Sequence, residues 1–348
     1  METFMDMALY HPEYGYYMTR DPFGIDGDFT TSPEISQMFG ELIGAWIIDT
    51  WIKMGSPERF QLIECGAGRG TMMADIWRVC KAVDSIAKAV QIRIIETSPL
   101  LKKIQKTALE DAPVTWIDTL DELDNTPIIV LGNEFLDAMP VRQFFWTKEG
   151  WKERGVSLGI DDSSGIDSLC AEDTATDIVP DDVRENKLVM NQAYEYSPAQ
   201  KRVIGDISCA LKKNTGACLL IDYGYTSGQG DTLQAVKGHE HTEILHNIGE
   251  CDLTAHVNFS LIRKWAKQHN LTIHGPQTQG VFLLSLGIES RANILSAAAL
   301  KIPDKTKSQN AIDHINSAKE RLIQPKKMGS LFKVMSLSYG IDAPLAGF

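Results

Sequence analysis

Phe60-Gln61-Leu62-Ile63-Glu64-Cys65-Gly66-Ala67-Gly68-Arg69-Gly70-Thr71 runs from an apolar stretch into three alternating glycines and on into a helical pattern. A short apolar run closed by glycine reads as a buried strand that turns directly into a helix. The glycines allow a sharp turn and let a ligand lie against bare backbone. Downstream, a helix is predicted from about 71 to 89, a strand over 91–95 ending in Glu96, and a helix over about 99–110. A strand over 114–117 leads to Asp118, and another over 127–131 leads to Gly132, Asn133 and Glu134. This alternation specifies an α/β, Rossmann-like fold: a mostly parallel sheet with helices on both faces. It resumes with a helix over 198–213 and a strand over 217–221 that ends in Asp222 and Tyr223. Residues 225–255 read as loop. A helix over 259–269, strands over 271–273 and 281–284, a helical stretch over about 291–322 and a last strand over 331–337 complete the sheet. Upstream, Ser32, Pro33 and Glu34 start a core helix whose apolar positions run from Ile35 to Ile47 at helical spacing. Residues 8–17 are turn-rich and aromatic. The expected division is 1–58, an N-terminal lid and helical segment, and 59–348, the Rossmann-like domain with an insertion at about 145–195.

Composition narrows the partners. The 348 residues include 46 acidic and 34 basic ones, a net charge of −12. That balance argues against nucleic acid and anionic membrane as partners, and no apolar run is long enough to span a bilayer. Residues 161–185 hold nine acidic residues and one basic residue. That stretch reads either as a solvated insertion or as an attractor for a basic segment. The six cysteines include no C-x-x-C pair, so neither a disulfide framework nor a zinc site is expected. His239, His241 and His246 match no zinc spacing, and no metal is expected.

The glycine spacing indicates a ligand. A dinucleotide fingerprint would place its third glycine at 71, which is Thr71. The form Glu64-x-Gly66-x-Gly68-x-Gly70 instead resembles the first motif of class I S-adenosylmethionine methyltransferases. A carboxylate at Glu96, ending the second strand, is placed to accept hydrogen bonds from ribose hydroxyls. Asp118 would flank the adenine. Asn133 and Glu134 face the same crevice at the carboxyl ends of the strands.

Longer strings extend the resemblance along nearly the whole chain. They are 7–17 (MALYHPEYGYY), 27–34 (GDFTTSPE), 133–144 (NEFLDAMPVRQF), 222–224 (DYG), 230–234 (GDTLQ) and 252–257 (DLTAHV). On these strings the chain is similar to the MidA family. Its glycine loop departs only in having Ala67 where proline is usual and Cys65 where an aliphatic is usual. The resemblance implies S-adenosyl-L-methionine as cofactor, held by Glu64, Gly66, Ala67, Gly68, Gly70, Glu96, Asp118 and Asn133. It also implies an N-terminal lid whose Asp28, Thr31 and Ser32 touch cofactor or substrate. Mitochondrial members are protein arginine methyltransferases that help assemble respiratory complex I and form symmetric dimethylarginine on a quinone-module subunit. A protein substrate of that kind is implied here. No mitochondrial extension is present, so a bacterial, cytoplasmic protein is expected. The insertion and terminal helices offer surface for a homodimer.

An arginine nucleophile needs its guanidinium neutralised and oriented, which carboxylates do through paired hydrogen bonds. By the resemblance, Glu134 is the guanidinium clamp and Asp137, three residues on, its companion; the bland reading is that Asn133 and Glu134 cap the next helix or touch cofactor. His256 either assists proton removal or packs in a loop. Asp222 and Tyr223 either line the acceptor channel or hold the fold. Two other readings remain open: a non-catalytic assembly module, and a methyltransferase whose acceptor is a small molecule or RNA.

Overall fold

A computed structural model describes residues 1–22, 30–160, 167–186 and 188–348. The strands are β1 (Phe60–Cys65), β2 (Val90–Ile95), β3 (Val114–Ile117), β4 (Ile128–Asn133), β5 (Arg142–Thr147), β6 (Gly150–Ile160), β7 (Asp167–Ala175) and β8 (Ala193–Tyr196). They continue with β9 (Gly216–Tyr225), β10 (Gln234–Lys237), β11 (Glu240–Thr242), β12 (Asp252–Thr254), β13 (Val257–Asn258), β14 (Thr272–Thr278) and β15 (Phe332–Tyr339). The central sheet has the order β14-β15-β9-β4-β1-β2-β3, with β13 beside β9. Every pair from β9 to β3 is parallel, whereas β15 runs antiparallel to both β9 and β14. The expected doubly wound architecture is therefore present.

Strand β1 is buried throughout because both of its faces are covered, and it is apolar except at Gln61 and Glu64. Leu62 enters one core, with Phe39 and Trp46 of the helix Gln37–Lys53; Ile63 enters the other, with Phe259 and Trp265 of the helix Phe259–Gln268. A third core joins the N-terminal helix Glu2–Tyr10, through Met5 and Leu9, to Leu233 and to Leu253 of β12. This core seats the N-terminal segment over the carboxyl ends of the parallel strands.

Several elements differ from the expectation. The helix placed at 71–89 is two, Thr71–Cys80 and Asp84–Ala89. The core helix begins at Gln37 rather than after Ser32: a short turn, Ser32–Ile35, precedes it, and Ser36 caps it by accepting from Met38 N at 3.2 Å. Residues 8–17 are not simply turns, since Glu2–Tyr10 and Tyr16–Thr19 are helical. The apolar run 281–284 is not a strand but part of the helix Gln279–Ser285, capped by Thr278. Phe282 and Leu283 are buried while Val281 and Leu284 stand half in solvent, a grouping by helical face rather than strand alternation. The helical stretch 291–322 is two helices, Ile288–Ala299 and Lys305–Ile323, interrupted around Pro303. The irregular insertion is an antiparallel sheet, β7-β6-β5-β8, and the loop 225–255 contains a small antiparallel sheet, β11-β10-β12. Among the described residues no single helix is long and apolar enough to cross a membrane.

Candidate active site

The strand order reverses between β1 and β4, and a crevice opens at their carboxyl ends. It holds a cavity of ≈ 550 Å³. The glycine loop forms one wall. Gly66 has φ +67, and a Cβ there would lie 2.9 Å from the Phe135 ring. Gly70 has φ +84 and caps the helix Thr71–Cys80 in the left-handed region. The turn thus requires glycine for conformation at both positions and, at Gly66, for space as well.

Beside this wall a smaller recess of ≈ 40 Å³ shares Gly66 and Gly68 with the cavity and adds Glu64 and Asn133. Glu64 is 3% exposed, and both its Oε2 and Asn133 Oδ1 are buried without a hydrogen-bond partner. Burial, with Glu96 nearby, pushes the Glu64 carboxyl up to about 8. Two buried acceptors without donors next to an open backbone loop suit an ammonium group, such as the amino-acid end of S-adenosylmethionine. The residues present fit that cofactor.

Glu96 closes β2 and lines the cavity. Its Oε1 accepts from Ser98 N at 2.9 Å and its Oε2 from Gln105 Nε2 at 3.0 Å. Burial raises its carboxyl, and these bonds pull it back. Gln105 also donates to Gly68 O at 2.8 Å and accepts from the Trp116 indole at 2.8 Å. One fully buried glutamine therefore ties the glycine loop, the end of β2 and β3 together. Sequence reasoning missed it. The available signal was its place four residues after Leu101 on the buried stripe of the helix Pro99–Ala108.

The opposite half of the cavity is acidic. Glu134 follows β4 with φ +49, and its Oε1 accepts from Ser32 N at 2.8 Å and from Asn133 Nδ2 at 3.2 Å. Glu134 thus clasps the N-terminal segment, and burial pushes its carboxyl up to about 7. Asp137 lies in the same loop; burial pushes it up to about 6, opposed by the Tyr223 hydroxyl. Asp222 holds that loop in place. Its Oδ2 accepts from the backbone N–H of Leu136 at 2.9 Å, Phe135 at 3.1 Å and Asp137 at 3.3 Å, and its Oδ1 from Tyr223 N at 3.0 Å. Burial and the two neighbouring carboxyls drive Asp222 well above the carboxylate range. Tyr223 points the other way and lines the cavity. The two readings of this pair therefore divide between the residues: Asp222 holds the fold and Tyr223 lines the channel.

His256 also lines the cavity, half-buried, with its ring edge-on to Tyr223 at a centroid distance of 5.2 Å. Burial and then Lys333 lower its pKa, so the imidazole is neutral at pH 7. Ser32 meets the site through its backbone, and its Oγ bonds Gln279 at 3.4 Å. Ala67 lines the small recess. Asp118 is not among the residues lining the cavity; its side chain is 86% exposed and lies 3.5 Å from Lys102. Asp28 lies outside the described residues.

Comparisons with known proteins give the family and the fold. The family model for S-adenosyl-L-methionine-dependent methyltransferases matches residues 42–277. The mitochondrial protein arginine methyltransferase NDUFAF7 of Mus musculus is 34% identical over 364 residues, covering 96% of this chain and 79% of the relative. Its Drosophila melanogaster homologue is 33% identical over 382 residues, covering 99% and 84%. A crystal structure from Burkholderia thailandensis, bound to S-adenosyl-homocysteine, is similar with a TM-score of 0.85 at 29% identity, covering 100% of this chain and 89% of that one.

Proposed function

The chain belongs to the S-adenosyl-L-methionine-dependent methyltransferase family whose model it matches over 42–277, and from that premise we propose that it methylates arginine side chains of a protein. The observation that carries this reading is the charge of the cavity. Among the described residues lining it, Glu96, Glu134, Asp137 and Asp252 are acidic and none is lysine or arginine. Glu96 belongs with the cofactor half, which leaves three carboxyls for a cationic acceptor. The relatives named as protein arginine methyltransferases support the same choice.

When bound, S-adenosylmethionine supplies an activated methyl group on a sulfonium. Alignment then accounts for most of the rate, and this chain's residues provide it. Glu134 and Asp137 bind the guanidinium and orient it through paired N–H donations. As the cation enters, its charge draws both raised carboxyls into their ionised forms. The neutral His256 ring accepts the proton that the nitrogen gives up. Ser32 N keeps Glu134 Oε1 aimed, so closing the N-terminal segment and orienting the clamp are one event. On the family resemblance, the acceptor is read as a quinone-module subunit of respiratory complex I or a related protein, and the product as symmetric dimethylarginine.

The test is transfer of labelled methyl into a lysate of cells deleted for this gene, followed by hydrolysis and amino-acid analysis. Label in methylarginine of one protein is expected. Label in lysine or RNA refutes the arginine reading.

A further inference from the structure

The small sheet adds a carboxylate to the cavity that the clamp does not use. Asp252 opens β12, is 5% exposed, lines the cavity, and accepts the Tyr17 hydroxyl at 2.8 Å on Oδ1. Tyr17 stacks on Tyr10 at 5.7 Å, and the Tyr10 hydroxyl donates to Ala138 O at 3.0 Å. Ala255, just past β12, donates its N–H to Asp137 O at 3.0 Å. The wall bearing Asp252 is therefore fastened at two points to the loop bearing Glu134 and Asp137, so the spacing between the two acidic sides is set by the fold.

We propose that Asp252, positioned by Tyr17, is a second acceptor-binding carboxylate that distinguishes a guanidinium from an ammonium. This rests on the arginine reading above. A guanidinium carries five N–H donors in one rigid plane. One carboxylate takes two of them along one edge, and the donors on the other edges stay buried and unmet unless another acceptor faces them. Asp252 supplies that acceptor from a different chain segment, and the Tyr10 and Tyr17 rings supply planar apolar surface beside it. An ammonium is a compact group with three donors, which the Glu134–Asp137 side can satisfy alone. Burial raises the hydroxyls of Tyr10, Tyr17 and Tyr223, and Asp137 and Asp252 both add to the effect on each, as expected if the tyrosines stand between two acidic poles.

The experiment uses full-length protein loaded with S-adenosyl-homocysteine. Binding of N-acetyl-arginine methylamide and N-acetyl-lysine methylamide is measured by calorimetry for wild type, Asp252→Asn and Tyr17→Phe. Asp252→Asn should weaken the arginine probe about tenfold or more, the loss of a charge-assisted hydrogen bond, and the lysine probe by less than about threefold. Tyr17→Phe should weaken the arginine probe by a smaller factor, and it carries the comparison if the asparagine variant does not fold. Unchanged arginine binding in both variants, with wild type still preferring arginine, overturns the role of Asp252 and leaves the arginine reading standing. A wild-type preference for the lysine probe overturns the arginine reading and the proposal with it.

Discussion

Replacing Glu64 with glutamine should make the ligand-free protein more stable at alkaline pH and a poorer binder of cofactor. The Glu64 carboxyl is raised from an ordinary 4.5 to about 8 by burial and then by Glu96. A raised acid binds more protons folded than unfolded, so stability falls as pH rises between the two values. The penalty is absent below about pH 4.5 and complete above about pH 8. At about 1.4 kcal/mol for each pH unit, the shift corresponds to about 3 kcal/mol at pH 7 and about 5 kcal/mol at pH 9. Glutamine keeps the shape and removes the titration. At about 1 to 2 °C per kcal/mol for a chain of this size, the variant should melt about 5 to 10 °C above wild type at pH 9 and near it at pH 5. The same change removes a buried acceptor from the recess that fits the cofactor's ammonium, so S-adenosyl-homocysteine should bind about tenfold more weakly or worse. Melting curves at both pH values and calorimetry at pH 7 test this. Parallel pH profiles for the two proteins would refute the burial argument, and unchanged ligand affinity would refute the assignment of the recess.

Other predictions follow from the same geometry. Acceptor kcat/KM should rise with pH through about 6 to 7, as Asp137 and Glu134 ionise from about 6 and about 7, and Glu134→Gln should remove the upper inflection from the pH–rate profile. Gln105→Leu preserves volume but breaks the links among Gly68, Glu96 and Trp116, so S-adenosyl-homocysteine affinity should drop by about tenfold while far-ultraviolet circular dichroism is unchanged. Asp222→Ala strips the acceptor from the N–H groups of residues 135–137 and Tyr223 and should cost about 3 to 6 kcal/mol, read as a large fall in melting temperature. Ser36→Ala removes a helix cap and should cost about 1 kcal/mol by the same measurement.

The cofactor half was legible because its signals are local. A doubly buried strand is mostly apolar, a tight turn beneath a ligand must be glycine, and an acid at the next strand end lies within the same βαβ unit. The acceptor half was less so. Strands β10 to β12 are three or four residues long, and Leu253 is buried in one core with Met5 and Leu9, more than half the chain away. No short window contains that partner. The run 281–284 misled for a related reason: four apolar residues fit a strand or a helix, and only the exposure of Val281 and Leu284 separates them. The arm β6–β7 read as irregular because most of its residues are exposed or half-exposed on both faces, so no alternation of apolar and polar residues marks it. Asp222 and Tyr223 could not be divided by pattern, since their roles depend on which face of β9 each occupies.

The most direct test compares wild type with Glu134→Gln in two readings on the same samples: affinity for S-adenosyl-homocysteine, and incorporation of labelled methyl into arginine of the acceptor found in the deleted-cell lysate. The account predicts affinity within about threefold of wild type and transfer reduced by about a hundredfold or more, the loss of a buried charged pairing worth about 3 kcal/mol. Full transfer by Glu134→Gln would contradict the assignment of Glu134 as the guanidinium clamp.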